Sequence, residues 1–396
     1  MARIPATDDN PDRRRKAIRY AVPVLAAGVA AATIGLVPAL ASAGSPNLPD
    51  ITAKKLIEKI AASDTQTISG SVKFSTDFGL PAIASAFGDS LGGSSTGGSA
   101  SANPKDQLTK LLTGTHTLHV AADGPDRQKV SIVESAAEYS VIHNGNNVWA
   151  YDSGSNQAYH STAPQGAKSG AGTDHAASTL TPQAAADQAL KAVDGTTSVT
   201  VDGTAKVAGR DAYQLLIKPT QADTTVGSIR IAVDSATGVP LKFTLTPKGS
   251  AKPAVDIGFT KVDFGKPAAS TFTFTPPKGA KVTTEKAGAD AATKDGTKAQ
   301  DNAKSALDGL NVIGTGWDSI AELKTPKGSL TAQQSNTKGS TFDTQSLISS
   351  FGKTVNGSFG SGTFVSTRVV NALITDSGKV YVGAVSQDAL VKAASK

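Results

Sequence analysis

Apolar and polar residues alternate through much of residues 199–274, and this alternation predicts a series of β-strands. The runs DAYQLLIKP, GSIRIAVD and VPLKFTLTP each place every second side chain on one apolar face, with turn residues between the runs. Strands that follow one another about every dozen residues are typical of an antiparallel meander. The apolar phase shifts near Thr260-Lys261, which predicts a β-bulge. The run STFTFTPPKGAKV predicts the closing strand, with Phe272 and Phe274 on one face.

Shorter strand patterns and two helices precede this meander. The stretch Pro49–Ser63 is amphipathic at helical spacing, and Asp50 is its predicted N-cap. Five short strand patterns follow, and the turn residues 144–146 predict a hairpin between the last two. Thr181-Pro182 predicts the start of a second helix, because threonine caps a helix well and proline suits its first position.

The remaining segments divide the chain into units. Residues 88–101, GDSLGGSSTGGSAS, predict a flexible loop, either a disordered insertion or a mobile lid. Residues 283–305 are polar and rich in alanine, which predicts a linker. Residues 306–396 predict a small α+β unit with a hairpin at 376–378 and a closing helix that starts near Ser386.

Residues 1–44 have the composition of an export signal. Basic residues precede an apolar stretch, Ala21–Leu40, and the small residues Ala41-Ser42-Ala43 follow it. This order predicts a signal peptide with a cleavage site, and the apolar stretch is also long enough for a retained membrane anchor. In either case the protein is predicted to be exported, and to be secreted or held at the outer face of the cytoplasmic membrane.

Charge and cysteine content narrow the function classes. The chain of 396 residues has a formal net charge of +6, but six of its 39 basic and three of its 33 acidic residues lie in the first 44, which leaves +3. No basic stripe with interleaved aromatic residues is found, so nucleic acid is not an expected partner. The chain has no cysteine, which excludes disulfides, thiol catalysis and cysteine–metal sites.

Motifs for catalysis and metal binding are missing from the sequence. His116 and His119 are three residues apart in a strand pattern, so they are expected on opposite faces and form a poor metal pair. No G-x-S-x-G, P-loop or H-E-x-x-H motif occurs. Asp234 falls in a predicted turn, so a catalytic role for its carboxylate is not expected. The sequence therefore predicts a protein that is not an enzyme, with no catalytic residue, cofactor or metal.

The order of several motifs resembles the LolA-like lipoprotein carriers and the RseB-like periplasmic sensors. The turn formed by Asp234, Thr237, Gly238 and Pro240 is similar to their D-x-x-T-G-x-P turn between two strands. The stretch VDFGKPAASTFTFTPPKGAKV resembles their closing strand, and the first helix followed by TISGSVKFS is also similar. The likeness covers roughly residues 48–282. The alanine- and glycine-rich composition suggests an actinobacterial-type member.

This resemblance implies a mainly β, α+β fold, a strongly curved antiparallel half-barrel covered by helices over residues 45–282. Its apolar inner face would hold the acyl chains of a lipid or lipoprotein. The side chains that are expected to line this site are apolar or aromatic strand residues: Phe74, Ile132, Val141, Trp149, Tyr213, Leu215, Ile229, Ile231, Leu241, Phe243, Phe272 and Phe274. The carriers hold their lid with an arginine on an early strand. This chain has no arginine between Arg19 and Arg127, and Lys73 is the nearest substitute.

Three alternatives to lipid carriage stay open at the level of sequence. The half-barrel could be filled by its own side chains, with no cavity. The protein could be an RseB-like sensor that binds a membrane protein, with residues 306–396 as the partner-binding module. A hydrolase with a dispersed site is the third alternative, and it would need histidines and carboxylates that converge in a cleft.

Overall fold

The computed structural model describes residues 45–79, 114–133, 137–162, 181–286, 310–324 and 352–396. The predicted export signal, the glycine-rich loop at 88–101 and most of the predicted linker lie outside these residues. No helix within the described ranges is long and apolar enough to cross a membrane.

A single open sheet of twelve strands forms the first unit. Its strands, in chain order, are β1 (Thr67–Thr76), β2 (Gly114–Asp123), β3 (Arg127–Val133), β4 (Glu138–Asn144), β5 (Asn147–Asp152), β6 (Gln157–Thr162), β7 (Thr197–Val207), β8 (Arg210–Pro219), β9 (Val226–Asp234), β10 (Pro240–Pro247), β11 (Val255–Asp263) and β12 (Lys281–Lys286). The spatial order is β12-β6-β5-β4-β3-β2-β1-β11-β10-β9-β8-β7. The sheet is curved and does not close, because β12 and β7 at its two ends do not pair. The predicted half-barrel is therefore confirmed.

The predicted meander corresponds to β7 through β11, and each of these strands pairs antiparallel with the next. The cross-strand register brings the alternating apolar side chains of neighbouring strands into contact, and these contacts stabilise the meander. Leu215 lies opposite Ile231, which lies opposite Phe243, and all three belong to one buried cluster. The predicted bulge is also confirmed. Ser71 pairs with Lys261 and Val72 with Phe259, so Thr260 is the additional residue.

Two helices cover one side of this sheet. Helix α1 (Ala53–Ala61) packs against β7 and β8, and α2 (Pro182–Lys191) packs against β10 and β11. The N-cap of α1 is Thr52, whose Oγ1 accepts a hydrogen bond from the Lys55 amide at 3.3 Å. The prediction of Asp50 as the cap was wrong, because Asp50 lies too far before the first turn to reach its amides.

Phe272 is not in a strand, so the prediction of a closing strand there was also wrong. Residues Ala269–Phe272 form a 3₁₀ helix, in which Thr271 donates to the Ala268 carbonyl at 2.9 Å. These local bonds and the two prolines that follow leave few amides for a sheet ladder. The chain resumes as a strand only at β12, which runs parallel to β6 and continues four residues beyond 282.

The second unit is a six-stranded antiparallel sheet with a helix on one face. Its strands are β13 (Leu310–Ile313), β14 (Ile320–Lys324), β15 (Lys353–Gly357), β16 (Gly360–Ser366), β17 (Asn371–Thr375) and β18 (Lys379–Gly383), in the order β13-β14-β18-β17-β16-β15. The hairpin between β17 and β18 turns at the predicted residues. Helix α3 (Gln387–Ala394) starts where its sequence predicted, and its N-cap is Ser386. A short 3₁₀ helix, Gly316–Asp318, joins β13 to β14.

Polar contacts fasten the second unit to the first. Gln221 Oε1 accepts hydrogen bonds from the amides of Trp317 at 2.7 Å and Asp318 at 3.2 Å. Trp317 Nε1 donates to Thr197 Oγ1 at 2.8 Å. On the other side of the contact, the Arg368 guanidinium donates to Asp77 Oδ2 at 2.7 Å and to three backbone carbonyl oxygens and one hydroxyl as well. An arginine fork that satisfies this many acceptors fixes orientation as well as distance.

Candidate functional site

The side of the large sheet that the helices cover, here called the inner face, is mainly apolar. Strand pairing places apolar residues opposite one another across the sheet. Ile257 of β11 lies opposite Phe74 of β1, and Ile132 of β3 lies opposite Leu118 of β2. All four side chains belong to the same buried cluster. A single apolar face therefore runs from β8 to β5, as the resemblance implied.

Most of the predicted lipid-lining residues lie in the closed part of this face. Eight of them are 8% exposed or less: Phe74, Ile132, Tyr213, Leu215, Ile229, Ile231, Leu241 and Phe243. Side chains from α1 and α2 share their cluster, among them Leu56 and Ala186, both fully buried. In this conformation these eight residues stabilise the core and offer almost no surface to a ligand.

Trp149, Phe272 and Phe274 do not share a face with the other nine, and the inference of a common wall was wrong for them. Trp149 lies opposite Ile142, whereas its neighbour Ala150 lies opposite Val141 and belongs to the core cluster. Trp149 therefore points to the other side of the sheet, here called the outer face. Residues 269–274, which we call the strap, cross this outer face, and the 3₁₀ helix within them packs on β3 and β4.

An aromatic cluster joins the strap to the outer face. The Phe274 ring lies 5.3 Å from the rings of both Trp149 and Tyr151, and His160 stacks on Trp149 at 4.0 Å. Phe272 is 1% exposed beneath the strap. The sequence pattern could not assign Trp149 to a face, because its neighbour Val148 is also apolar and points the opposite way. In the structure both side chains are half-buried.

Strands β3–β6 contain part of the inner face that retains exposure. Val130, Val141 and Tyr159 are half-buried and pack at the border of the core cluster. Val141 was predicted as a site residue, whereas Val130 and Tyr159 were missed. Val130 alternates with the predicted Ile132, so the period-two pattern alone would have identified it. Tyr159 stands in a short polar run, QAYHST, that carries no such signal.

Charged groups are sparse on the inner face. His116 lies near the Phe74 ring at 6.2 Å, whereas His119 bonds to Ser71 Oγ on the outer face, so the predicted separation of the two histidines is confirmed. Lys73 follows the outer side as well, because Val72 and Phe74 on either side of it point inward. It therefore does not occupy the inner position of the carriers' arginine. Among the described residues, no group of three or more His, Asp or Glu is placed to hold a metal ion.

The open, curved sheet with helices on its inner face agrees with the fold that the sequence resemblance implied. Residues 100–284 match the family described as "Predicted periplasmic protein (DUF2092)". That description agrees with the predicted export and supports an extracytoplasmic location. A search of the curated proteins found no match.

Solved structures of both kinds are among those that the chain matches. The Pseudomonas aeruginosa MucA/MucB complex gives 14% identity and a TM-score of 0.38, over 86% of this chain and 96% of that one. A LolA superfamily protein from Nitrosomonas europaea gives 12% and 0.23, over 57% and 99%. An uncharacterized conserved protein from Thermus thermophilus gives 11% and 0.31, over 59% and 99%. Similarities this distant assign no function to the chain.

Proposed function

We propose that this protein is a non-enzymatic, extracytoplasmic carrier that holds acyl chains of a lipid or lipoprotein on its inner face, at the outer side of the cytoplasmic membrane. One observation carries the proposal. The inner face is mainly apolar from β8 to β5, while α1 and α2 pack against β7, β8, β10 and β11. The half-buried side chains of Val130, Val141 and Tyr159 then form the floor on which a chain would lie.

Acyl chains suit this floor because their binding needs no polar partner. Each buried methylene contributes about 0.8 kcal/mol. A chain of about ten methylenes would therefore gain about 8 kcal/mol from burial, against a cost of association that begins at about 4 kcal/mol. The eight closed-core residues would join the site only if the helices moved aside, so the proposal places first contact at β3–β6.

Lipid extraction tests this proposal. Protein purified from the exported fraction of cells that express the full chain is extracted, and the extract is analysed by mass spectrometry. We expect stoichiometric acyl lipid. Val141→Asp should remove it, because a carboxylate on the apolar floor would lose its hydration.

A matched control is available on the neighbouring strand. Val133 is an exposed residue of the outer face, so Val133→Asp should leave the lipid in place. Circular dichroism of both variants would show that the sheet is intact. A protein that carries no lipid, and that ignores lipid added to it, would exclude acyl-chain carriage.

A second candidate function is an RseB-like sensor that binds a membrane protein. The contact between the two units favours it, because Gln221, Trp317 and Arg368 hold the C-terminal unit in a fixed position, as a composite binding surface would require. Crosslinking in intact cells followed by mass spectrometry would identify such a partner. A sensor predicts one recurrent membrane protein that is lost in Arg368→Ala, whereas a lipid carrier predicts none.

A further inference from the structure

The outer face carries a cleft of about 260 Å³ between the strap and strands β3, β4 and β5. Ser140 and Ile142 of β4 form its floor. The rings of Tyr151 and Phe274 form an aromatic wall. The cleft is smaller than the usual range for drug-sized ligands, about 300–1,000 Å³. Any ligand must therefore be small, and it would lie on the opposite side of the sheet from the proposed acyl-chain floor.

Two opposite charges stand at the two ends of this cleft. Lys129 and Glu138 both line it. Lys129 lies opposite Ile142, and Glu138 is four residues from Ile142 along β4, so their backbone positions are about 14 Å apart at the rise of an antiparallel strand. Neither side chain forms an ion pair or hydrogen bond within the part of the chain that the structure describes.

Uncharged hydroxyl groups also line the cleft. Ser140, which is 5% exposed, lies on the floor, and the strap adds Ser270, Thr271 and Thr273. A hydroxyl can donate or accept, so this lining suits a ligand with alternating donors and acceptors. Tyr151, which lies opposite Ser140, suits a small apolar group near the middle, whereas Ile142 lies at the Lys129 end.

We infer that this cleft binds a short peptide with both ends free, about three residues long, with its amino end at Glu138 and its carboxyl end at Lys129. An extended chain of three residues spans about 10 Å, which matches two charged side chains that reach inward from 14 Å apart. The hydroxyls then bond the peptide groups, and the aromatic wall packs on the central side chain. The inference does not depend on the acyl-chain proposal, because the two sites use opposite faces.

Titration calorimetry with trialanine tests the assignment on the full chain purified from the exported fraction. We expect trialanine to bind, and the N-acetylated and the C-amidated forms each to bind about tenfold more weakly, since each loses one charge-assisted hydrogen bond. Lys129→Glu and Glu138→Lys should each weaken trialanine to the same degree. The double variant should bind it again, in the reverse direction, which a purely structural role of either residue would not produce.

Lys353→Glu serves as the control, because Lys353 is exposed on the second sheet and far from the strap in the chain. It should leave the affinity unchanged. No heat at millimolar trialanine would overturn the peptide site. If either capped peptide bound as well as the free one, the assignment of a charged peptide end to that end of the cleft would be wrong.

Discussion

Arg210 on β8 and Asp234 at the end of β9 form a two-pronged ion pair, with Nε to Oδ1 at 2.5 Å and Nη2 to Oδ2 at 2.9 Å. The Asp234 carboxylate is also a hydrogen-bond acceptor for the amide and the hydroxyl of Thr237, both at 2.8 Å. Burial acts to raise the pKa of Asp234, but the bonds from Arg210 and Thr237 outweigh it and hold that pKa below its usual value. The carboxylate therefore organises the D-x-x-T-G-x-P turn, and its role is structural.

Arg210→Met should destabilise the fold by about 3 kcal/mol near neutral pH, because it leaves the buried carboxylate unpaired. The lowered pKa of Asp234 means that the pair's contribution is complete above the unfolded-state pKa, about 4, and is lost as the pH falls through the folded-state value. The difference between wild type and variant should therefore shrink in acid. Urea unfolding as a function of pH measures both effects.

The matched control is Arg230→Met, whose partner Asp202 is 43% exposed. An exposed pair of this kind contributes less than about 1 kcal/mol. Equal losses in the two variants would show that burial of Asp234 does not set the strength of the Arg210 pair.

Gly238→Ala should destabilise the protein by about 2 kcal/mol or more. Gly238 has a φ of +77°, and an added Cβ would clash with the Lys59 carbonyl oxygen at the end of α1. Gly209→Ala is the control, since Gly209 has a φ of +79° but no atom within 4 Å of an added Cβ. It should cost only about 1 kcal/mol, from backbone strain alone. Thermal unfolding of the two variants separates the clash from the strain, and similar midpoints would argue against a tight contact between turn and helix.

Phe272→Ala should cost about 3–4 kcal/mol, because this side chain is fully buried between the strap and the outer face. Phe274→Ala should cost less, since Phe274 is only half-buried. Hydrogen exchange should show faster exchange in β12 of the Phe272 variant, because only six residues separate the strap from that strand. If β12 stays equally protected without Phe272, its pairing with β6 alone holds that strand in place.

Asp318→Asn should stabilise the contact between the two units near neutral pH. Burial, together with the nearby Asp223 carboxylate, raises the pKa of Asp318, and its Oδ1 is buried without a hydrogen-bond partner among the described residues. A raised folded-state pKa gives full stability below the unfolded-state value of about 4, and that stability is lost as the pH rises through the folded-state pKa.

The uncharged variant avoids this loss, so its urea midpoint should exceed that of the wild type at neutral pH and match it in acid. Asp376→Asn, in an exposed hairpin of the second sheet, should change neither. A lower midpoint for Asp318→Asn would show that the ionised carboxylate is needed at the contact.

The sequence by itself determined the helix caps, the alternating strands and the bulge, because each depends on residues that are close together along the chain. The caps at Thr181 and Ser386 could be predicted because each side chain bonds an amide three residues later. The alternation in β8 through β10 predicted which side chains share a face, and the phase shift predicted the bulge at Thr260. These features depend on spacing along the chain, which the sequence states directly.

Tertiary structure decided which side chains lie on the inner face and which on the outer face. It also decided how much of the inner face stays exposed. Alternation placed Trp149, Phe272 and Phe274 among apolar residues but could not assign them to the outer face, because that depends on pairing between distant strands and on where the strap crosses. The run at 270–274 has a strand's composition, yet it becomes a 3₁₀ helix because its side chains pack on β3 and β4 while its amides bond locally. Closure of the core around Leu215 and Phe243 by α1 and α2 likewise follows from packing between segments far apart in the chain, which no local pattern encodes.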